Sequence, residues 1–140
     1  MMRNRRLFVA LALAGAIAIP ALASGDARRV VGDCTKSQVR PATIVIACAD
    51  ANLALTHLRW VSFGAATAHA SGSYYVNDCT PYCAAGHFHS YPVTVVLWQA
   101  ALCQDKYDDY REATVTFTGR RPPGLKSAHP KLSVGCPLPR

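Results

Sequence analysis

The chain has 140 residues, 51% of them hydrophobic, with 15 Lys and Arg against 8 Asp and Glu and a formal net charge of +7. That length suits a single domain able to bury its own core. A modest basic excess without any nucleic-acid recognition motif excludes nucleic acid as the expected partner.

The first element is a leader. Arg3, Arg5 and Arg6 precede an apolar run of 13 residues from Leu7 to Ile19; Pro20 ends the run, and Ala21-Leu22-Ala23 follows. Positive charge, apolar core and an A-x-A exit in that order describe a secretory signal peptide over residues 1–23, cleaved after Ala23. As a helix the run spans only about 20 Å, short of the ~30 Å of a bilayer core, so a retained transmembrane anchor is not expected. The expected location is extracellular. Three of the 15 bases leave with the leader and all eight acids remain, so twelve face eight, a mature excess of +4.

The remaining elements read as all-β. Thr43 to Cys48, Leu55 to Phe63 and Thr67 to Val76 are predicted strands, then Pro92 to Trp98 and Ala113 to Thr118. In the third, Ala68, Ala70, Gly72, Tyr74 and Val76 alternate with Thr67, His69, Ser71, Ser73 and Tyr75, a period-two pattern with one apolar face. In the fifth, Ala113, Val115 and Phe117 point inward between threonines. Pro92 to Trp98 is the most apolar and is expected to be central, with Trp60 and Trp98 in the core. Asp50 to Leu55 suits one helical turn. The expected fold is a small antiparallel β-sandwich or barrel-like domain over residues 24–118. Residues 119–140 carry five prolines and the bases Arg120, Arg121, Lys126, Lys131 and Arg140, and read as an extended tail without regular structure.

All six cysteines, Cys34, Cys48, Cys79, Cys83, Cys103 and Cys136, follow the leader, and an even count in an exported chain points to a disulfide framework. Six cysteines allow fifteen pairings. Cys34 and Cys48 bracket a turn and a strand, and Cys79 and Cys83 flank Thr80-Pro81-Tyr82, where Pro81 favours a tight turn. Those pairings leave Cys103 with Cys136, a bond that ties the tail to the body.

The segment NDCTPYCAAGHFHSY, Asn77 to Tyr91, concentrates groups able to do chemistry. Cysteine pairs two to four residues apart are common in zinc sites, but the matching histidines are usually three to five apart. His87 and His89 are two apart, and an oxidising compartment makes free thiols scarce. A stapled turn outweighs a metal centre here, and no metal or cofactor is expected. Tyr82, His87, Phe88, His89 and Tyr91 are the candidate binding residues. Elsewhere no G-x-S-x-G or H-E-x-x-H occurs, and the acids Asp105, Asp108, Asp109 and Glu112 lack the spacing and glycine of an EF-hand loop. No catalytic residue is assigned.

ACAD (Ala47 to Asp50), LRWVSFG (Leu58 to Gly64) and NDCTPYCAAGHFHSYPVTVVL (Asn77 to Leu97) together resemble a group of small secreted proteins of high-GC Gram-positive bacteria. Those proteins share a leader, a C-(A/G)-D element, a tryptophan strand and an N-D-C-x-P-x-C-A-x-G segment. The resemblance covers Cys34 to Trp98 and implies export and a β fold. It carries no activity and no catalytic residue.

The function expected from these readings is a non-catalytic extracellular binding or interaction domain, its partner a cell-wall polymer or an extracellular protein. A secreted protease inhibitor is the first alternative and a small hydrolase the second. If the cysteines form a complete framework, thiol titration of the denatured protein finds no free thiol; two or more per chain would contradict it.

Overall fold

The structure is a computed structural model and describes residues 28–137. The expected leader with its cleavage site, and residues 138–140, lie outside the described part. Two short strands, β1 (Val30–Val31) and β2 (Ser37–Gln38), form an antiparallel ribbon. The other strands are β3 (Ile44–Val45), β4 (Leu53–Phe63), β5 (Ala68–Asn77), β6 (Phe88–Leu102), β7 (Asp108–Phe117) and β8 (Lys131–Ser133). They make one six-stranded antiparallel sheet in which spatial order follows chain order. Among the described residues no second sheet of comparable size completes a sandwich. The sheet is a curled half-barrel held by three disulfides.

Alternation explains which face is apolar. Ala68, Ala70 and Tyr74 on β5, Val93, Val95 and Leu97 on β6, and Ala113 and Val115 on β7 are buried. Their neighbours His69, Ser71 and Thr94 are exposed, as expected of an antiparallel sheet with one dry and one wet face. Deleting such a side chain, for example Leu97→Ala, costs about 2–5 kcal/mol.

The curl has a local cause in β4. Its pairing with β5 slips between Thr56 and Arg59 and again between Trp60 and Ser62, and His57 adopts a φ of 53°. Each slip is a bulge, which bends the strand and increases its twist. The first bulge presses onto β5 at Gly72, where a Cβ would lie 2.7 Å from the Thr56 carbonyl oxygen and 2.9 Å from Leu58 Cδ2. Only a glycine admits that approach.

A single curled sheet leaves its inner face open, and the chain ends cover it. Val30, Ile44 and Val134 are almost fully buried against the sheet core. Arg29 brackets the start of β7: its N–H donates to Asp108 O at 3.1 Å, and its carbonyl accepts from Tyr110 N at 3.0 Å. Three residues on, Gly32 O accepts from Val45 N at 2.8 Å, so the segment 29–32 bridges β7 to β3 across the open side. The other end arrives through β8, with Val134 N donating to Arg111 O at 2.7 Å. Phe63, packed edge-on to Trp60 and Tyr110, fills the space beneath. The Tyr110 hydroxyl donates to the Gly64 carbonyl, and Trp60 Nε1 donates to Pro41 O at 2.9 Å.

Several expectations change. The proline-rich segment is not without regular structure, because Lys131–Ser133 lies between prolines and pairs with Glu112, Ala113 and Thr114. Pro130 flanks that strand and keeps its carbonyl, which accepts from Val115 N at 3.0 Å. Asp50 to Leu55 holds no helical turn; a turn ends at Asp50 and β4 begins at Leu53. Pro92 is accommodated in β6 because β7 pairs with β6 only from Val93 onward. Trp98 is not a core residue. It follows buried Leu97 and so takes the outer face, where Nε1 donates to Thr114 Oγ1 at 3.1 Å and Lys131 Nζ lies 5.5 Å from its ring centre. Among the described residues no helix is long and apolar enough to cross a membrane.

The disulfides join Cys34 to Cys48, Cys79 to Cys83 and Cys103 to Cys136, at sequence separations of 14, 4 and 33. Chain entropy makes the three loops worth roughly 3, 2 and 4 kcal/mol respectively. Paired Cys→Ser substitutions followed by denaturant unfolding are expected to rank the losses in that order, with Cys103/Cys136 the costliest and Cys79/Cys83 the cheapest.

Candidate functional site

The connection between β5 and β6, residues 78–87, is long for a hairpin and is fixed from within. Asp78 N donates to His87 O at 2.9 Å and closes its base. Inside it, Cys79 and Cys83 are bonded with their Cα atoms 3.7 Å apart, the Thr80–Pro81 peptide is cis, and a 3-10 turn at Cys83–Ala85 ends at Gly86. The loop is short of apolar contacts, so polar side chains hold it.

Two adjacent side chains do this. Asn77, buried at the end of β5, donates from Nδ2 to Cys83 O at 2.8 Å and to Asn52 Oδ1 at 2.9 Å, and accepts from Cys79 N at 3.0 Å. Its amide is satisfied on both ends, which is what a buried amide requires. Gly86 lies directly against it: a Cβ there would fall 2.1 Å from Asn77 Oδ1. Asp78 faces the other way and accepts from His87 N at 2.9 Å and Thr80 N at 3.0 Å through Oδ1, while Oδ2 lies 2.8 Å from His89 Nε2. The His87 amide, then the His89 ring and the Thr80 amide, lower the Asp78 pKa to about 2. Asp50 holds the neighbouring turn in the same manner, accepting from Asn52 N and Nδ2, and its pKa is lowered by those bonds.

Beside this loop lies a groove of about 460 Å³ lined by Val76, Asn77, Asp78, Thr80, His89, Tyr91, Pro122 and Pro123. One wall is the start of β6 and the other is the Pro122–Pro123 step. His89 and Tyr91 reach it together because they are two apart on one strand. Phe88, of opposite parity, turns to the other face and stacks on Tyr75 with ring centres 4.7 Å apart. There it borders a shallower hollow with Asp50, Asn52 and Ala84. Tyr82 stands 63% exposed on the disulfide loop, away from the groove lining, and His87 takes part through its backbone. The five candidates therefore divide: His89 and Tyr91 share the groove, while Tyr82, His87 and Phe88 do not line it.

Asp78, Thr80, Pro122 and Pro123 are groove residues absent from the candidates. Asp78 had a signal, standing in the N-D-C step beside a cysteine. The two prolines had none, since their position depends on how the C-terminal segment returns to the sheet.

His89 is paired with a carboxylate, but the hydroxyl of Thr80 donates to Asp78 O rather than to the imidazole. The other histidine–hydroxyl contacts, His57 with Thr56, His69 with Thr67 and His129 with Thr116, have no carboxylate bonded to the ring. No nucleophile–base–acid triad is assembled among the described residues. One set of metal-ligating side chains converges among them, Cys103, Asp105 and Asp109, whose ligand atoms lie within 4.8 Å. The sulfur of that set belongs to the bond with Cys136, so no thiolate is available to an ion. Comparison with family models, curated proteins and solved structures gives no match.

A carboxyl whose pKa is depressed contributes its stabilisation above the ordinary carboxylate range and loses it as pH falls through the lowered value. The amide proton resonances of Thr80 and His87 should therefore shift together with a midpoint at about 2 as Asp78 takes up its proton. Asp78→Asn should abolish that transition; its survival in the variant would assign it to another group.

Proposed function

We propose that this protein is a non-catalytic extracellular binding domain whose ligand lies in the groove between the Cys79–Cys83 loop and Pro122–Pro123. The observation that carries the reading is a fixed concave surface combining apolar walls with a few convergent polar groups, the usual make-up of a ligand site. Tyr91 and the two prolines offer flat apolar surface, and the Thr80 hydroxyl and His89 ring offer orienting contacts. Asp78 already accepts from three partners, so its charge is largely engaged within the loop.

The favoured ligand is an anionic cell-wall polymer. Arg120 and Arg121 are exposed and immediately precede the prolines of the groove wall, which places positive charge at its margin. The charge excess over the whole chain has the same sign. A second reading, inhibition of a protease, draws on Tyr82, which is exposed in extended conformation at φ −153° and ψ 161°. Extended, disulfide-held backbone is the form in which an inhibitor presents its loop, at low ordering cost.

Co-sedimentation of the purified protein with an insoluble Gram-positive cell-wall preparation tests the first reading. Binding should weaken with salt, and Tyr91→Ala or Arg120→Ala/Arg121→Ala should weaken it about tenfold or more, ~1.4 kcal/mol. Binding that survives all these changes would remove the groove from the account. Absence of binding, together with inhibition in a serine-protease panel that Tyr82→Ala abolishes, would replace it with the second reading.

A further inference from the structure

A second polar cluster lies away from the groove, under the β1–β2 ribbon. Asp109 on β7 is fully buried, and its Oδ1 has no hydrogen-bond partner. Its Oδ2 lies 2.5 Å from Ser37 Oγ, and the same hydroxyl lies 2.6 Å from Asp105 Oδ2. Ser37 belongs to β2 and is itself buried, while Asp105 belongs to the turn joining β6 to β7. One serine thus sits between two carboxylates.

A hydroxyl carries one proton and can donate to one of them only. Were both acids ionised, the second contact would set lone pair against lone pair beside a fully buried carboxylate. We propose that Asp109 holds a proton, donating it to Ser37 Oγ while Ser37 donates to Asp105, so that a protonated acid latches the N-terminal ribbon to the sheet. The chain of donors leaves Oδ1 as a carbonyl-like oxygen, the less costly of the two forms to bury without a partner.

The surrounding charges agree with this assignment. Burial, the largest influence, raises the Asp109 pKa, and the Asp105 charge raises it further; Ser37, Arg29 and Arg111 act in the opposite sense. The nearby bases have partners of their own. Arg29 lies 3.8 Å from the Tyr107 ring centre, Arg111 donates to Val134 O and contacts Cys136 Sγ, Arg28 pairs with Asp108, and Lys36 pairs with Asp33. A calcium ion in place of the proton would need six to eight oxygens. Two carboxylates and one hydroxyl fall short of that number, and the adjacent Cys103 sulfur is bonded to Cys136.

The sign of the effect follows. A carboxyl with a raised pKa contributes stability that is complete below the ordinary range and is lost as pH rises through the raised value. The latch is closed in acid. As Asp109 ionises, it and Asp105 repel across one hydroxyl, and β2 is the element free to withdraw, being only two residues long.

Carboxyl ¹³C NMR of the purified protein across pH measures Asp109 directly. Its midpoint should exceed the ~3.9 of a free aspartate, and Ser37 amide protection should fall over the same range. In Asp109→Asn, a neutral isostere, that fall in protection should disappear. A midpoint at or below the free value would overturn the proposal, as would a protection step that persists in the variant. Should Asp109→Asn fail to fold, Asp105→Asn must lower the Asp109 midpoint, and an unchanged midpoint overturns it equally. Titration with calcium chloride separates the cation: a rise in Tm of the wild-type protein that Asp109→Asn or Asp105→Asn abolishes would assign the site to a metal.

Discussion

A single sheet with one apolar face cannot bury that face by itself, and the course of both chain ends in this domain follows from how the face is covered. The bulges of β4 curl the sheet far enough to shelter Leu55, Val95 and Val115, but the inner side stays open between β3 and β7. The segment 29–32 spans that opening by hydrogen-bonding to both strands. The two-residue β1 and the three-residue β8 are too short to hold by pairing alone. Cys34–Cys48 and Cys103–Cys136 secure them, each fastening a covering segment next to the place where it meets the sheet.

The Cys79–Cys83 bond has a different task. It covers no core and closes the smallest of the three loops, so its effect on global stability is the least of the three while its effect is felt mainly on local shape. Asn77 and Asp78 complete that shape from opposite sides of one backbone step, the first satisfied in burial and the second exposed and charged. A surface fixed in this way loses little freedom on meeting a ligand. The far wall of the groove comes from the same C-terminal segment that Cys103–Cys136 fastens, so the shape of the site and the closure of the core share one covalent anchor.

Much of the sheet was legible because its information is local. Ala68 to Val76 and Ala113 to Phe117 alternate residue by residue, and that period can satisfy only a strand with one dry face. Trp98 misled for an instructive reason: in an apolar run such as PVTVVLW hydrophobicity no longer distinguishes the two faces, and only the parity set by buried Val93, Val95 and Leu97 does. The bulge at His57 also carried little signal, since glycine is the residue first expected at positive φ. Gly72 was the trace it left on the opposite strand. In the site, the period of two joined His89 to Tyr91 but also turned Phe88 away.

Composition and spacing alone determined a cysteine-framed β chain, with its turns at the proline- and glycine-rich steps and a conspicuous loop at Asn77–Tyr91. These properties depend on neighbours within a few residues. Only the tertiary structure decided that one curled sheet forms instead of two packed ones, that Lys131–Ser133 becomes a strand, and that Pro122 and Pro123 face His89. It also brought Ser37 between Asp105 and Asp109. Each of these joins segments far apart in the chain, and a covering segment of two or three residues carries no periodicity of its own. Where it docks is set by the shape of the open face, which exists only once the sheet has curled.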